Sequence, residues 1–149
     1  MKNFIQMAEN ILREDGLRLT KPRSMALNFL AKENQPLTPY EIRDLLKEEG
    51  EKADVVTIYR ILEEFERLGL VHKVTLLGRY IRCSDLEMET HCEKDIGCHH
   101  YLICEKCSKV QEISGENLHD LERVIEKKTG FEVKNHFLEF LGLCKKCKK

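Results

Sequence analysis

Apolar residues recur three and four apart through most of the first 70 positions, and helix punctuation bounds each run. Phe4 to Asp15 carries Ile5, Ala8, Ile11 and Leu12 at this spacing, with Gly16 placed to end the helix. Thr20 precedes a second run, KPRSMALNFLAKE, whose Pro22 is tolerated in a first turn. TPYE is a capping box: Thr38 is the N-cap, Pro39 the first helical residue, and Glu41 reaches back. Ile42, Leu45 and Leu46 give that third helix its apolar face. After the turn EEGEKA, Asp54 caps VVTIYRILEEFERLGL, where Ile58, Leu62, Phe65 and Leu68 form a stripe and Gly69 a stop. The pattern then changes, and VHKVTLLGRYIRC predicts a hairpin turning near Gly78. The last three of these helices, followed by a hairpin, predict a winged helix-turn-helix with the Asp54 helix as its reader.

Residues 84–100 are polar, irregular and rich in metal-ligand types, which predicts an interdomain segment. Beyond it, YLIC and KVQEIS predict short strands, GENLHDLERVIEKKTG a helix, and FEVKNHFLEFLGLC a long strand. The expected fold class is α+β. A winged-helix domain covers 1–83, a hinge with metal ligands 84–100, and a small α+β dimerisation domain 101–149. That last unit needs more than its own apolar core to be stable.

Charge changes the picture little. The chain has 149 residues and a formal net charge of −1; its first 83 residues carry 14 basic against 13 acidic side chains. Nucleic-acid binding must therefore come from a local arrangement of cations and from dimerisation. No apolar stretch is long enough for a membrane span, and the N-terminus lacks the apolar block of a cleavable signal. The expected setting is the cytoplasm, where paired cysteines serve metal or redox chemistry more often than disulfides.

Seven cysteines then become informative. Cys104-x-x-Cys107 and Cys144-x-x-Cys147 are two knuckles flanking one strand–helix–strand unit. A two-residue gap lets both sulfurs of a knuckle reach one ion, and zinc favours four tetrahedral thiolates. A redox motif needs only one pair, at a helix N-terminus. A closed Cys₄ site contributes to folding, so one structural Zn²⁺ per chain is expected. Cys83, Cys92, Cys98, His72, His91, His99 and His100 remain. Singly each is unremarkable, but together they cluster about the hinge and point to a second metal site.

At these residues the sequence resembles the ferric uptake regulator family of bacterial metal-responsive repressors. GLRLTKPR is similar to its first motif, DVVTIYRILEEFERLGLV to its recognition helix, and HHYLICEKCSKVQEI to its dimerisation signature. GFEVKNHFLEFLGLCKKC is similar to its last strand and second knuckle. The resemblance implies a homodimeric winged-helix repressor in which a regulatory metal closes the dimer onto operator DNA. It also implies DNA contacts from Arg18, Thr57, Tyr59 and Arg60. Tyr59 and Arg60 lie off the apolar stripe near the end of the helix that enters a major groove. Within the family the chain is most similar to the zinc-uptake-regulator branch. That likeness implies a regulatory Zn²⁺ on His72, Cys83, a histidine (His91 or His99) and Glu112. A thiolate ligand favours zinc over iron or manganese. The chain departs from the family at Tyr101, where a histidine is usual, and in the extra Cys92, Cys98 and His100.

Double-stranded operator DNA and a second copy of the chain are thus the expected partners. An iron-, manganese- or peroxide-responsive repressor of the same family is the alternative. A zinc hydrolase is the competing class, but the sequence contains no HExxH, nucleophile elbow or phosphate loop, so no enzyme activity is expected. A metal-buffering or thiol-redox role for Cys92 and Cys98 is a third reading.

Overall fold

The computed structural model describes residues 2–33, 35–84, 99–114, 118–134 and 138–148. The chain divides into two compact units, Met1–His91 and Cys92–Lys149. Most of the segment expected as a hinge lies outside the described residues.

The first unit is a winged helix-turn-helix. Four helices, α1 (Lys2–Glu14), α2 (Lys21–Lys32), α3 (Pro39–Glu48) and α4 (Val55–Arg67), precede strands β1 (Val71–Val74) and β2 (Arg79–Arg82). Each helix turns its apolar stripe inward. Phe4, Ala8 and Leu12 of α1, Leu27 of α2, Ile42 and Leu46 of α3, and Ile58, Leu62 and Phe65 of α4 are all fully buried in one cluster. Burying one such leucine- or phenylalanine-sized side chain is worth about 1.5–3 kcal/mol, so this cluster holds the helices together. Ile61 joins it, while Leu68 is only partly buried.

Local chemistry sets the helix ends. The Thr38 hydroxyl accepts the N–H of Glu41 at 3.1 Å, and Glu41 Oε2 accepts the N–H of Thr38 at 2.7 Å. Asp54 accepts the N–H of Thr57 at 2.6 Å, satisfying one of the orphaned donors of α4. Gly69 and Gly78 take left-handed φ values of 68° and 59°, which an L side chain resists. The first ends α4, and the second closes the 3₁₀ turn Thr75–Leu77 between the two strands.

β1 and β2 pair antiparallel, His72 opposite Ile81. Leu37 adds a bridge to Tyr80, with reciprocal N–H···O bonds of 2.8 and 2.7 Å. Arg79 secures the hairpin: it donates to both Glu41 oxygens at 3.1 Å and to the Pro36 carbonyl at 2.9 Å. The wing is therefore tied to the cap of α3.

In the second unit, β3 (His99–Cys104) lies between β4 (Val110–Ser114) and β5 (Leu138–Gly142), with helix α5 (Leu118–Thr129) connecting β4 to β5. β4 is antiparallel to β3 and β5 parallel to it. The long strand expected over 131–144 is shorter. Five residues of β3, His100 to Cys104, pair with Leu138–Gly142. Residues 131–134 belong to no strand, and the N–H of Val133 goes to Glu126 Oε1 of α5 at 2.9 Å. A strand extends only as far as its neighbour supplies partners. Among the described residues, no helix is long and apolar enough to cross a membrane.

Candidate metal centre and nucleic-acid face

Parallel pairing of β3 and β5 places their C-terminal ends side by side, with Cys104 opposite Gly142. Each knuckle grows from one of these ends. Ser108 donates to the Cys104 carbonyl at 2.8 Å, with the rare left-handed φ of 55° for a non-glycine residue, and closes the first. The N–H of Cys147 donates to the Cys144 carbonyl at 2.8 Å and closes the second. Glu105 donates to Gly142 at 2.9 Å and pins the first knuckle to β5.

The four sulfurs converge as a result. The Sγ atoms of Cys104, Cys107, Cys144 and Cys147 all lie within 4.8 Å of one another. Cys107 and Cys144 are separated by 3.7 Å. A tetrahedron with Zn–S bonds of about 2.3 Å has edges of about 3.8 Å, so the set fits a closed thiolate site. Among the described residues this is the one group of three or more potential ligands whose donor atoms come together.

The electrostatics are those of crowded thiols. The N–H of Cys144, 3.4 Å from Cys104 Sγ, does most to lower that thiol, to about 6, against the opposing effect of burial. Burial pushes Cys144 up, but the N–H and thiol of Cys147 and the thiol of Cys107 outweigh it and leave Cys144 lowered. The thiols of Cys144 and Cys107 hold Cys147 up, to about 12. Thiols this close share protons unequally, and a divalent cation displaces them all.

The other expected ligands are placed in separate parts of the chain. His72 lies in β1, half-buried with its Nε2 sequestered. Cys83 follows β2, is 5% exposed, and donates its N–H to Leu70 at 2.9 Å. That bond continues the ladder by one step, so Cys83 and His72 share one face of the hairpin as diagonal neighbours. Glu112 is half-buried in β4, opposite Tyr101. His99 opens β3 opposite Ser114, and His100 is fully buried. His91, Cys92 and Cys98 lie outside the described residues.

On α4 the side chains divide cleanly. Ile58, Ile61, Leu62 and Phe65 are buried, whereas Thr57, Tyr59 and Arg60 are exposed. Arg18, between α1 and α2, is also exposed. Its carbonyl accepts from Arg23 Nη1 at 2.7 Å, and Arg23 also donates through Nε to Glu64 of α4 at 3.1 Å. Arg23 thus sets the position of the Arg18 backbone against α4. Sequence patterning gave no sign of this role, because Arg23 and Glu64 are 41 residues apart.

Residues 14–141 match the sequence model of the ferric uptake regulator family. The zinc uptake regulation protein of Escherichia coli (strain K12) is 29% identical over 146 residues, covering 98% of this chain and 82% of its own length. The peroxide-responsive repressor PerR of Staphylococcus aureus (strain Mu50) is 31% identical over 136 residues, covering 91% and 86%. A solved zinc uptake regulator complexed with zinc and DNA superposes with a TM-score of 0.82 at 28% identity, over 98% of this chain and 93% of that one.

Proposed function

The chain belongs to the ferric uptake regulator family, and on that premise we propose that it is a zinc-responsive, DNA-binding transcriptional repressor of metal-uptake genes. The observation that carries the zinc assignment is the buried thiol of Cys83 on the same hairpin face as His72. A sulfur–imidazole donor set is soft enough to prefer zinc over iron or manganese. The relative solved with zinc and DNA supports the same reading.

In this proposal Cys104, Cys107, Cys144 and Cys147 hold a structural zinc that keeps the second unit folded. A regulatory zinc takes His72, Cys83, one of His91 or His99, and Glu112. The ion acts as a signal through a higher affinity for the DNA-binding state of the protein than for the other state. Arg18, Thr57, Tyr59 and Arg60 contact operator DNA. We assign no catalytic step, since four thiolates leave a zinc ion no open coordination position. The setting is the cytoplasm.

The second unit supports a homodimer. Leu121, Val124 and Ile125 form a stripe along α5 yet are 50%, 45% and 41% exposed. On the sheet, Leu102 and its cross-strand neighbour Phe140 are exposed as well. Apolar patches of this kind mark association surfaces, and a second copy of the chain covers them in this proposal.

The test pairs metal analysis of the purified protein with DNA-shift titrations at fixed free zinc, iron and manganese. Zinc is expected to tighten DNA binding at free concentrations where the other two do not. An equal response to all three, or to none, sinks the zinc assignment. A peroxide-sensitive response in the iron or manganese arm would instead favour the reading suggested by the Staphylococcus aureus relative.

A further inference from the structure

The exposed face of α4 carries one residue that neither packing nor charge accounts for. Val56 is 55% exposed in the first turn, beside Tyr59 at 38%. Positions 56, 59, 60 and 63 lie on one helical face, so Val56, Tyr59 and Arg60 form a continuous strip that ends at exposed Glu63. A valine here is disfavoured twice. β-Branching lowers its helix propensity relative to alanine, and its methyls remain in water.

Charge fixes which part of the strip can approach a polyanion. Glu63, Glu64 and Glu66 crowd the later turns, whereas the first two turns carry Arg60 and no carboxylate. Asp54 already takes the N–H of Thr57, one of the donors at this end of the helix. Hydrogen bonding from Thr57 holds that carboxyl below its ordinary value. Of the exposed side chains in this first turn, Val56 and Thr57, Val56 is the wholly apolar one. An aliphatic side chain in a major groove has one apolar partner on the base edges, the C5-methyl of thymine.

We propose that Val56 is a specificity-determining residue of the reader helix, packing its methyls on the C5-methyl of a thymine in each half-site. This rests on reading α4 as the DNA-reading helix. The contact buries hydrocarbon on both partners, and its loss leaves every phosphate contact in place. It selects thymine over cytosine and over unmethylated uracil alike, since neither offers the methyl.

The experiment uses the zinc-loaded full chain and a duplex that it selects from a randomised pool. Each thymine of a half-site is then replaced in turn by deoxyuridine, and affinity is measured at fixed salt. Wild-type protein should lose about four-fold at one position per half-site, the value of one methyl removed from water. Val56→Ala should bind the unmodified duplex more weakly, lose its response at that position, and keep its zinc content. Tyr59→Ala should keep the response there, which separates the two neighbours. Wild-type binding indifferent to every replacement, or the same response in Val56→Ala, overturns the inference alone. Failure of wild type to bind any selected duplex overturns the reader-helix assignment as well.

Discussion

At the scale of single residues, the five described cysteines divide into different chemical settings. Cys104 is 3% exposed and receives the N–H of Cys144, while Cys83 sits in the apolar core of the first unit. Cys83→Ala removes one sulfur from that core and should cost about 1 kcal/mol. We expect a folded protein that keeps one zinc per chain but no longer tightens on DNA when zinc is added. An unchanged zinc response in that variant rules Cys83 out as a regulatory ligand. Cys104→Ser strikes the other set. Structural zinc sites supply on the order of 10 kcal/mol, comparable with the whole stability of a small domain. Circular dichroism should therefore show the second unit unfolded, and a cooperative thermal transition with native zinc content in Cys104→Ser counts against a structural role for the four-cysteine site. The spacing of the cysteines is enough to mark that site along the chain. Arg23 had no such spacing, and its bond to Glu64 emerges only when α2 packs on α4.

Elements tell a similar story, with the ends of helices readable from the chain and the docking of one element on another hidden. The Thr38–Glu41 box is local, formed within four residues, and it is present as the motif requires. The ion pair from Glu41 to Arg79 is not local: it links helix α3 to strand β2 across 38 residues. Burial pushes the Glu41 carboxyl up, but the N–H and hydroxyl of Thr38 and the Arg79 guanidinium outweigh it and hold the group below its ordinary value. A lowered carboxyl adds stability that is complete above the ordinary glutamate range, about pH 4.3, and is lost as pH falls through the lowered value. Melting curves between neutral pH and pH 3 should thus decline less steeply for Glu41→Gln than for wild type. Parallel declines would show that the wing's attachment does not depend on this carboxylate. The side chain is partly exposed, so solvent screening keeps the effect small, about 1 kcal/mol or less. The shortened β5 belongs at this scale too. Residues 131–134 have strand-like composition, yet the β3 residues paired with β5 are already matched by Leu138–Gly142.

For the whole molecule, the second unit presents the larger physical problem. Among its described residues Leu121, Val124, Phe131, Phe140 and Leu141 are exposed, so neither the core nor the zinc alone accounts for its surface. Sedimentation at micromolar concentration should give a dimer. Leu121→Glu with Val124→Glu should shift it to monomer while zinc content stays native, because the substitutions lie on α5 and the ligands on the two knuckles. A dimer that survives both changes places the interface elsewhere. The helices, their caps, the wing turn and the pairing of two CxxC knuckles could all be read along the chain, because each depends on residues only a few positions apart or on a ligand spacing that one ion imposes. The parallel register of β3 and β5 that brings four sulfurs within 4.8 Å could not be read there. Neither could the Arg23 and Arg79 ties. Each of these depends on groups brought together from distant parts of the chain, and only burial of a common core decides which of them meet.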